Sequence, residues 1–276
     1  MDYNKTPKRA RRHRSFASIL LMILIIAAVA IGIIAAGIYF SGIRYISINT
    51  EDGGTVKFFG RIGSDGEPYT GKLYYSSGIT AEVDMENGKI VYSNGDVYEG
   101  GLSKLQKNGK GKLTYASGDI YEGDFALDQI TGQGKYSFTN GDVYEGGLTN
   151  GKKDGTGTYT WADGSVYSGG YKDDLKNGTG KYTWADGSSY EGGYLNDLKD
   201  GQGVFTYSNG DRYSGNFTND LRDGQGVYAW ANGEIYEGEF ADNKMSGKGK
   251  FSWPSGREYE GYFENGKIVQ TDDTAA

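Results

Sequence analysis

YSGGYKDDLKNGTGKYTWADGSS, residues 167–189, is one copy of a 23-residue phrase that the chain repeats from Tyr98 to Glu258. Tyr98, Tyr121, Tyr144, Tyr167, Tyr190, Tyr213 and Tyr236 open seven copies, and Tyr259 opens a part-copy. Each opening reads Y-[ES]-G-x-[LFY], each copy then reaches a G-x-G pair such as Gly178 and Gly180, and each closes on a turn ending in Gly. A strict period of this length marks a repeat array, one small supersecondary unit stacked in a line.

The unit reads as a β-hairpin. Lys181-Tyr182-Thr183-Trp184 and Ser189-Tyr190-Glu191-Gly192-Gly193-Tyr194 flank Ala185-Asp186-Gly187. Aromatic and Thr-rich runs around such a turn are a hairpin signal. A two-residue turn, Asp186-Gly187, would put Trp184 and Tyr190 on opposite faces. A three-residue turn, Ala185-Asp186-Gly187 with its glycine left-handed, puts Tyr182, Trp184, Tyr190 and Tyr194 on one face.

The copies decide between them. With three turn residues, Lys112 faces Glu122, Lys135 faces Glu145, Lys181 faces Glu191 and Lys250 faces Glu260. Where the glutamate becomes Ser168 or Ser214, the lysine has become Thr158 or Val204, and only Val227 opposite Glu237 departs. Each such pair contributes at most roughly 0.2–1 kcal/mol, less when solvated. Their agreement, rather than their energy, sets the register. Gly180 and Gly192 then share the ring face and leave room for rings lying along the sheet. Two strands per repeat at ~4.8 Å each give an array of about 65–70 Å over seven copies. The expected fold is mostly β: an elongated single-layer array of antiparallel hairpins.

The motif Y-[ES]-G-x-[FLY], the G-x-G pair and the D/N-G turn at 23-residue spacing resemble the MORN repeat (membrane occupation and recognition nexus) over residues 98–258. The resemblance implies an elongated hairpin array and a role in binding or scaffolding near membranes, with no implied catalysis. Such repeats occur in junctophilins, plant phosphatidylinositol phosphate kinases, a histone lysine methyltransferase and many bacterial surface proteins. It also allows a homodimer joined through the blade ends. The likeness to lipid kinases stops at the repeats, because no kinase domain or catalytic loop is present. A lipid-headgroup module carrying a phosphatidylinositol phosphate kinase label is therefore the least favoured reading.

The rest of the chain supplies an anchor and two ends. Residues 1–15 form a basic tail with Lys5, Lys8, Arg9, Arg11, Arg12 and Arg14 against Asp2. Residues 16–40, FASILLMILIIAAVAIGIIAAGIYF, hold no charged side chain. As a helix they span roughly 37 Å, enough for a bilayer with some tilt. A cleaved signal peptide is the rival, with Ala35, Ala36 and Gly37 near its end. Signal cores are shorter, about 7–15 residues, so a transmembrane anchor is preferred. Six basic residues before the helix and only Arg44 close behind it predict a cytoplasmic N-terminus and outward-facing repeats. Residues 41–97 read as a juxtamembrane region with a degenerate capping repeat. Tyr69-Thr70-Gly71-Lys72-Leu73 matches a repeat opening but sits six residues out of phase, whereas Gly88 to Val97 keeps phase. Residues 259–276 form a partial repeat and a charged tail.

Composition excludes several function classes. The chain has 276 residues, 47 Gly, 24 Tyr, 3 Pro and no Cys, so disulfides and cysteine metal sites are ruled out. Its net charge is −7; residues 1–15 contribute +5, so the remainder carries −12. Such a surface repels nucleic acid and anionic lipid, and neither is expected as the main partner of the repeats. The single histidine, His13, lies before the anchor, so no Ser-His or His-metal arrangement forms outside. Glu99, Glu122, Glu145, Glu191, Glu237 and Glu260 recur as cross-strand partners rather than as an acid/base pair. The glycine doublets lack a phosphate-loop pattern. Acidic loops such as 172–177 and 196–200 lack calcium-loop spacing and carry lysines, which makes them solvated turns. No enzyme activity, cofactor or metal is expected.

What remains is the aromatic stripe. Trp161, Trp184, Trp230 and Trp253 stand just before their turns, with Tyr115, Phe138 and Tyr207 at equivalent positions. They read either as the packing of the array, which is favoured, or as a stacking platform for a cell-wall glycan or for apolar side chains of a protein. The expected function is a non-enzymatic, membrane-anchored surface scaffold that binds a protein partner; the alternative is a wall-glycan module.

Overall fold

In a computed structural model, residues 16–49 and 55–269 are described; residues 1–15, with His13, and residues 50–54 and 270–276 lie outside the described residues. The chain divides into two compact units, Met1–Glu86 and Asn87–Ala276.

The first unit begins with helix α1 (Phe16–Phe40), uncharged along its length. Its portion Leu20–Phe40 is long and apolar enough to cross a bilayer, with mean hydropathy 3.0 and none of it buried. Gly42, at φ +75°, turns the chain directly into an antiparallel sheet of β1 (Ile43–Asn49), β2 (Thr55–Ile62), β3 (Pro68–Tyr74) and β4 (Thr80–Asp84). Alternation buries Phe58, Leu73, Ala81 and Val83 and leaves Tyr45, Phe59 and Tyr74 exposed. Gly60 faces Gly71 across the strands, and the Phe58 ring lies over both. The sequence likeness at Tyr69 is therefore no repeat opening. Tyr69 is exposed, and its hydroxyl donates to Glu86.

The second unit is a continuous antiparallel sheet from β5 (Lys89–Tyr92) to β21 (Lys267–Val269), each strand pairing with its chain neighbours. The repeat at its centre shows why. Strands β13 (Leu175–Thr183) and β14 (Ser189–Leu195) meet through Ala185-Asp186-Gly187. Trp184 N–H donates to Ser188 O at 2.9 Å, Gly187 N–H to Trp184 O at 3.0 Å, and Gly187 takes φ +86°. This is the three-residue turn. Lys181 faces Glu191, Lys112 faces Glu122, Lys135 faces Glu145 and Lys250 faces Glu260. Thr158 faces Ser168, Val204 faces Ser214 and Val227 faces Glu237.

The other connection, from β14 to β15 (Leu198–Thr206), is a two-residue turn with Asn196 and Asp197 at φ 50° and 72°. Two left-handed residues match the twist of paired strands, and Asn and Asp tolerate that region best after Gly. Residues 88–97 adopt the second half of the same hairpin: Lys89 faces Glu99, Ile90 faces Tyr98, and Tyr92 N–H donates to Asp96 O. At the far end β20 (Glu258–Glu264) carries the short last arm β21.

The core is a row of tyrosines. Tyr98, Tyr121, Tyr144, Tyr167, Tyr190, Tyr213 and Tyr236 are at most 1% exposed. Each ring lies over a facing glycine pair; a Cβ on Gly203 would stand 2.6 Å from Cζ of Tyr190. The Tyr190 hydroxyl donates to Gly193 O at 3.0 Å, so the ring is buried without an orphaned polar atom. A second ring row joins the repeats edge-on. Tyr194 meets Tyr190 at 5.3 Å and Tyr167 of the preceding copy at 5.3 Å, both near perpendicular.

Candidate interaction surface

The four tryptophans predicted from sequence lie on one face in one ladder, all half-buried. The ladder runs from Tyr136 to Trp253 through alternating in-strand and pre-turn positions. Trp161 sits between Tyr159 at 4.5 Å and Tyr182 at 5.0 Å. Trp184 sits between Tyr182 at 4.4 Å and Phe205 at 5.1 Å, and Trp230 between Tyr228 at 4.5 Å and Phe251 at 5.4 Å. Trp253 ends the row, with Phe251 at 4.6 Å and the Arg257 guanidinium 3.7 Å from its ring centre. Neighbouring ring planes along the ladder are inclined to one another by 11° to 49°.

Cations lie between the ladder and the buried tyrosines. Lys176 Nζ is 5.8, 5.4 and 5.6 Å from the rings of Tyr167, Tyr182 and Tyr194. Arg222 takes the same place among Tyr213, Tyr228 and Phe240. Desolvation lowers the Lys153 pKa at the equivalent site. The rings offset part of that cost through their electron-rich faces.

Two seams of side-chain caps escaped the sequence reading. On one edge, Asp197 Oδ1 accepts from Lys176 N–H at 2.8 Å while Asp197 N–H donates to Lys176 O at 3.0 Å. The same reciprocal link joins Asp128 to Lys107, Asp174 to Lys153, Asp220 to Lys199 and Asn243 to Arg222. Where the cation gives way to Ile130 or Met245, the turn residue becomes Gly151 or Gly266 and only the backbone bond remains. On the other edge, Asp96, Asp119, Asp142 and Asp211 accept from the N–H of Ala116, Thr139, Ala162 and Ala231 in the next copy. Pro254 has no N–H, and there the cap position holds Glu234. The signal was in the chain: a cation and an Asp or Asn covary at a spacing of 21.

The opposite face is polar. Lys112 and Glu122 approach to 3.5 Å and Lys181 and Glu191 to 3.6 Å, whereas Lys250 pairs diagonally with Glu258 at 2.8 Å. Open grooves floored by the glycine pairs run between the side-chain rows, one of ≈ 620 Å³ beside Glu122 and Lys135. At the rim, Leu175, Leu195, Leu198 and Leu221 are exposed. The described residues contain no cluster of His, Cys, Asp or Glu able to hold a metal ion.

A family model described as MORN repeat matches residues 98–120, 121–143, 144–166, 167–189, 190–212, 213–235 and 236–256. No curated protein matches the chain. Among solved structures, the TCP domain of Drosophila melanogaster SAS-4 in complex with a proline-rich motif of Ana2 is similar at 13% identity and a TM-score of 0.36, covering 56% of this chain and 84% of that one. The TCP10 domain of Danio rerio CPAP with a STIL peptide is similar at 15% identity and a TM-score of 0.29, covering 80% and 100%. Likeness at such scores carries no inference about a partner.

Proposed function

The chain belongs to the MORN repeat family, and from that premise we propose that it is a membrane-anchored, non-enzymatic scaffold holding a protein partner on the ringed face of its repeats. One observation carries the reading. The tyrosine row over the glycines is fully buried, while the ladder from Tyr136 to Trp253 stays half-buried in an unbroken line. Tyr, Trp and Arg concentrate binding energy at protein interfaces. Sugar stacking needs ring faces, and here neighbouring rings or Arg257 lie against them.

The anchor reading rests on the uncharged α1 and on the basic residues ahead of it, which favour a cytoplasmic N-terminus and exterior repeats. The non-enzymatic reading rests on carboxylates already used as caps and cross-strand partners. Affinity capture with the full-length chain in nanodiscs, wild type against the Trp161→Ala/Trp184→Ala double variant, tests the proposal. The expected result is a specific protein lost with the double variant while far-UV circular dichroism is unchanged. Tryptophan-dependent cosedimentation with purified wall polysaccharide, and no protein, would overturn it in favour of a glycan module.

A further inference from the structure

The sheet that follows α1 has an exposed face whose chemistry changes from strand to strand. Residues directly opposite one another share a face, so β1 to β4 carry three cross-strand rows. One row reads Tyr45, Phe59, Lys72, Glu82; the next reads Ser47, Lys57, Tyr74, Thr80; the third reads Ile43, Arg61, Thr70, Asp84. On this face the aromatic and basic side chains run from β1 to β3, with Tyr45 on β1, Lys57, Phe59 and Arg61 on β2, and Lys72 and Tyr74 on β3, and the acids Glu82 and Asp84 sit on β4. Tyr45 is 60% exposed and Phe59 46%, large rings left open at the strands nearest the helix.

No linker separates this face from the helix. Ser41 and Gly42 are the only residues between α1 and β1, and both are tied down. Ser41 N–H donates to Gly37 O, Gly42 N–H to Tyr39 O, and Ile62 N–H of β2 to Gly42 O. Arg44 donates to Tyr39 O at 3.0 Å and lies 4.6 Å over the Tyr39 ring. The junction is therefore held by hydrogen bonds from both strands. Tyr45 is two residues into β1, about 7 Å along the strand at ~3.3 Å per residue. The headgroup layer on each side of a bilayer is roughly 5–8 Å deep. With α1 inserted up to Phe40 and β1 laid along the membrane surface, Tyr45 and its opposite residue Phe59 fall at that layer, whereas β4 is three strands away across the sheet, about 14 Å.

Aromatic side chains prefer this zone, and Lys and Arg reach phosphates there. We propose that the face formed by Tyr45, Phe59, Lys57 and Arg61 rests in the phospholipid headgroup layer entered by α1, fixing the base of the exterior region against the membrane instead of leaving it to swivel. This inference rests on the anchor reading of α1. Its ligand is the phosphate of the lipid headgroup, and the acids on β4 set which end of the face turns away.

The absence of cysteine makes the test direct. Full-length single-cysteine variants Ile25→Cys, Ser47→Cys and Thr80→Cys, each carrying a fluorophore, are placed in nanodiscs containing headgroup-spin-labelled lipid. Ser47 and Thr80 lie in one row at opposite ends of the face, and neither is one of the four contact residues. The expected result is severalfold stronger quenching at position 47 than at position 80. That difference should shrink in a Tyr45→Ser/Phe59→Ser/Lys57→Gln/Arg61→Gln background and grow when zwitterionic lipid is replaced by anionic lipid. A label in the bilayer at position 25, detected with chain-labelled lipid, combined with equal quenching at 47 and 80 would overturn this inference alone. A water-exposed label at position 25 would overturn the anchor and the inference with it.

Discussion

In the sheet of residues 43–84, Phe58 lies across Gly60 and Gly71, and Ala81 and Val83 fill the next places; in the repeats, Tyr190 lies across Gly192 and Gly203, and another tyrosine and glycine follow. Both sheets keep antiparallel register and bury one face. What the repeats add is the hydroxyl, donated to a backbone carbonyl three residues on, and the caps that link each copy to the next. The ring on a glycine pair is thus the general packing device, while the hydroxyl and the caps make a unit that can be repeated.

The largest separation between the two sheets should appear in alkali. Burial pushes Tyr98, Tyr121, Tyr144, Tyr167, Tyr190, Tyr213 and Tyr236 up to about 12 from the usual 10.0. Their folded state favours the neutral phenol, so the stabilisation is complete below pH 10 and is lost as pH rises through 12. Far-UV dichroism of the repeats should fall together with the rise of tyrosinate absorbance. Methyl resonances of Ala81 and Val83, packed near a phenylalanine that cannot ionise, should persist. Their simultaneous loss would erase the distinction.

Truncating the ring comes next. Tyr190→Ala and Phe58→Ala should each cost about 3–5 kcal/mol in their own sheet. Tyr190→Phe should cost only about 1 kcal/mol, the net worth of one hydrogen bond. Urea unfolding followed by residue-resolved amide exchange reads these separately. Equal losses for the Ala and Phe substitutions at 190 would mean that the hydroxyl, rather than the ring, holds the repeat.

The seams give smaller effects. Asp197→Ala should destabilise its junction by about 1–2 kcal/mol, because Lys176 N–H loses its acceptor. Installing the missing pair as Ile130→Lys with Gly151→Asp should recover more stability than the two single changes summed, which a double-mutant cycle measures. Smallest is the acid response. The Tyr159 hydroxyl and Ala162 N–H hold the Asp142 carboxyl below the usual 3.8. Its contribution is present above that value and is lost as pH falls through the depressed one. Melting temperatures below pH 4 should therefore drop more steeply for the wild type than for Asp142→Asn.

Much of this was legible in residues 98–258, because period, turn chemistry and charge pairing at Lys181 and Glu191 converge on one register. The seams were missed because their partners lie 20 or 21 residues apart, where each acid looks like an ordinary turn residue. The pairing of Lys176 with Asp197, against Ile130 with Gly151, was the available clue. The out-of-phase likeness at Tyr69 fails for the opposite reason. A Tyr-x-Gly match reports local composition, but which ring lies on Gly71 is settled across the strand, where Phe58 stands two residues from Gly60. The four tryptophans were found by position, yet their ring-against-ring arrangement depends on repeat-to-repeat spacing that no single copy contains.

The most direct measurement is the proton resonance of the paired glycines. Nuclear Overhauser contacts should connect the Tyr190 ring to the α-protons of Gly192 and Gly203, with those protons shifted upfield by the ring current. Ring contacts to Glu191 instead, with glycine α-protons at unshifted positions, would contradict the register and the packing built on it.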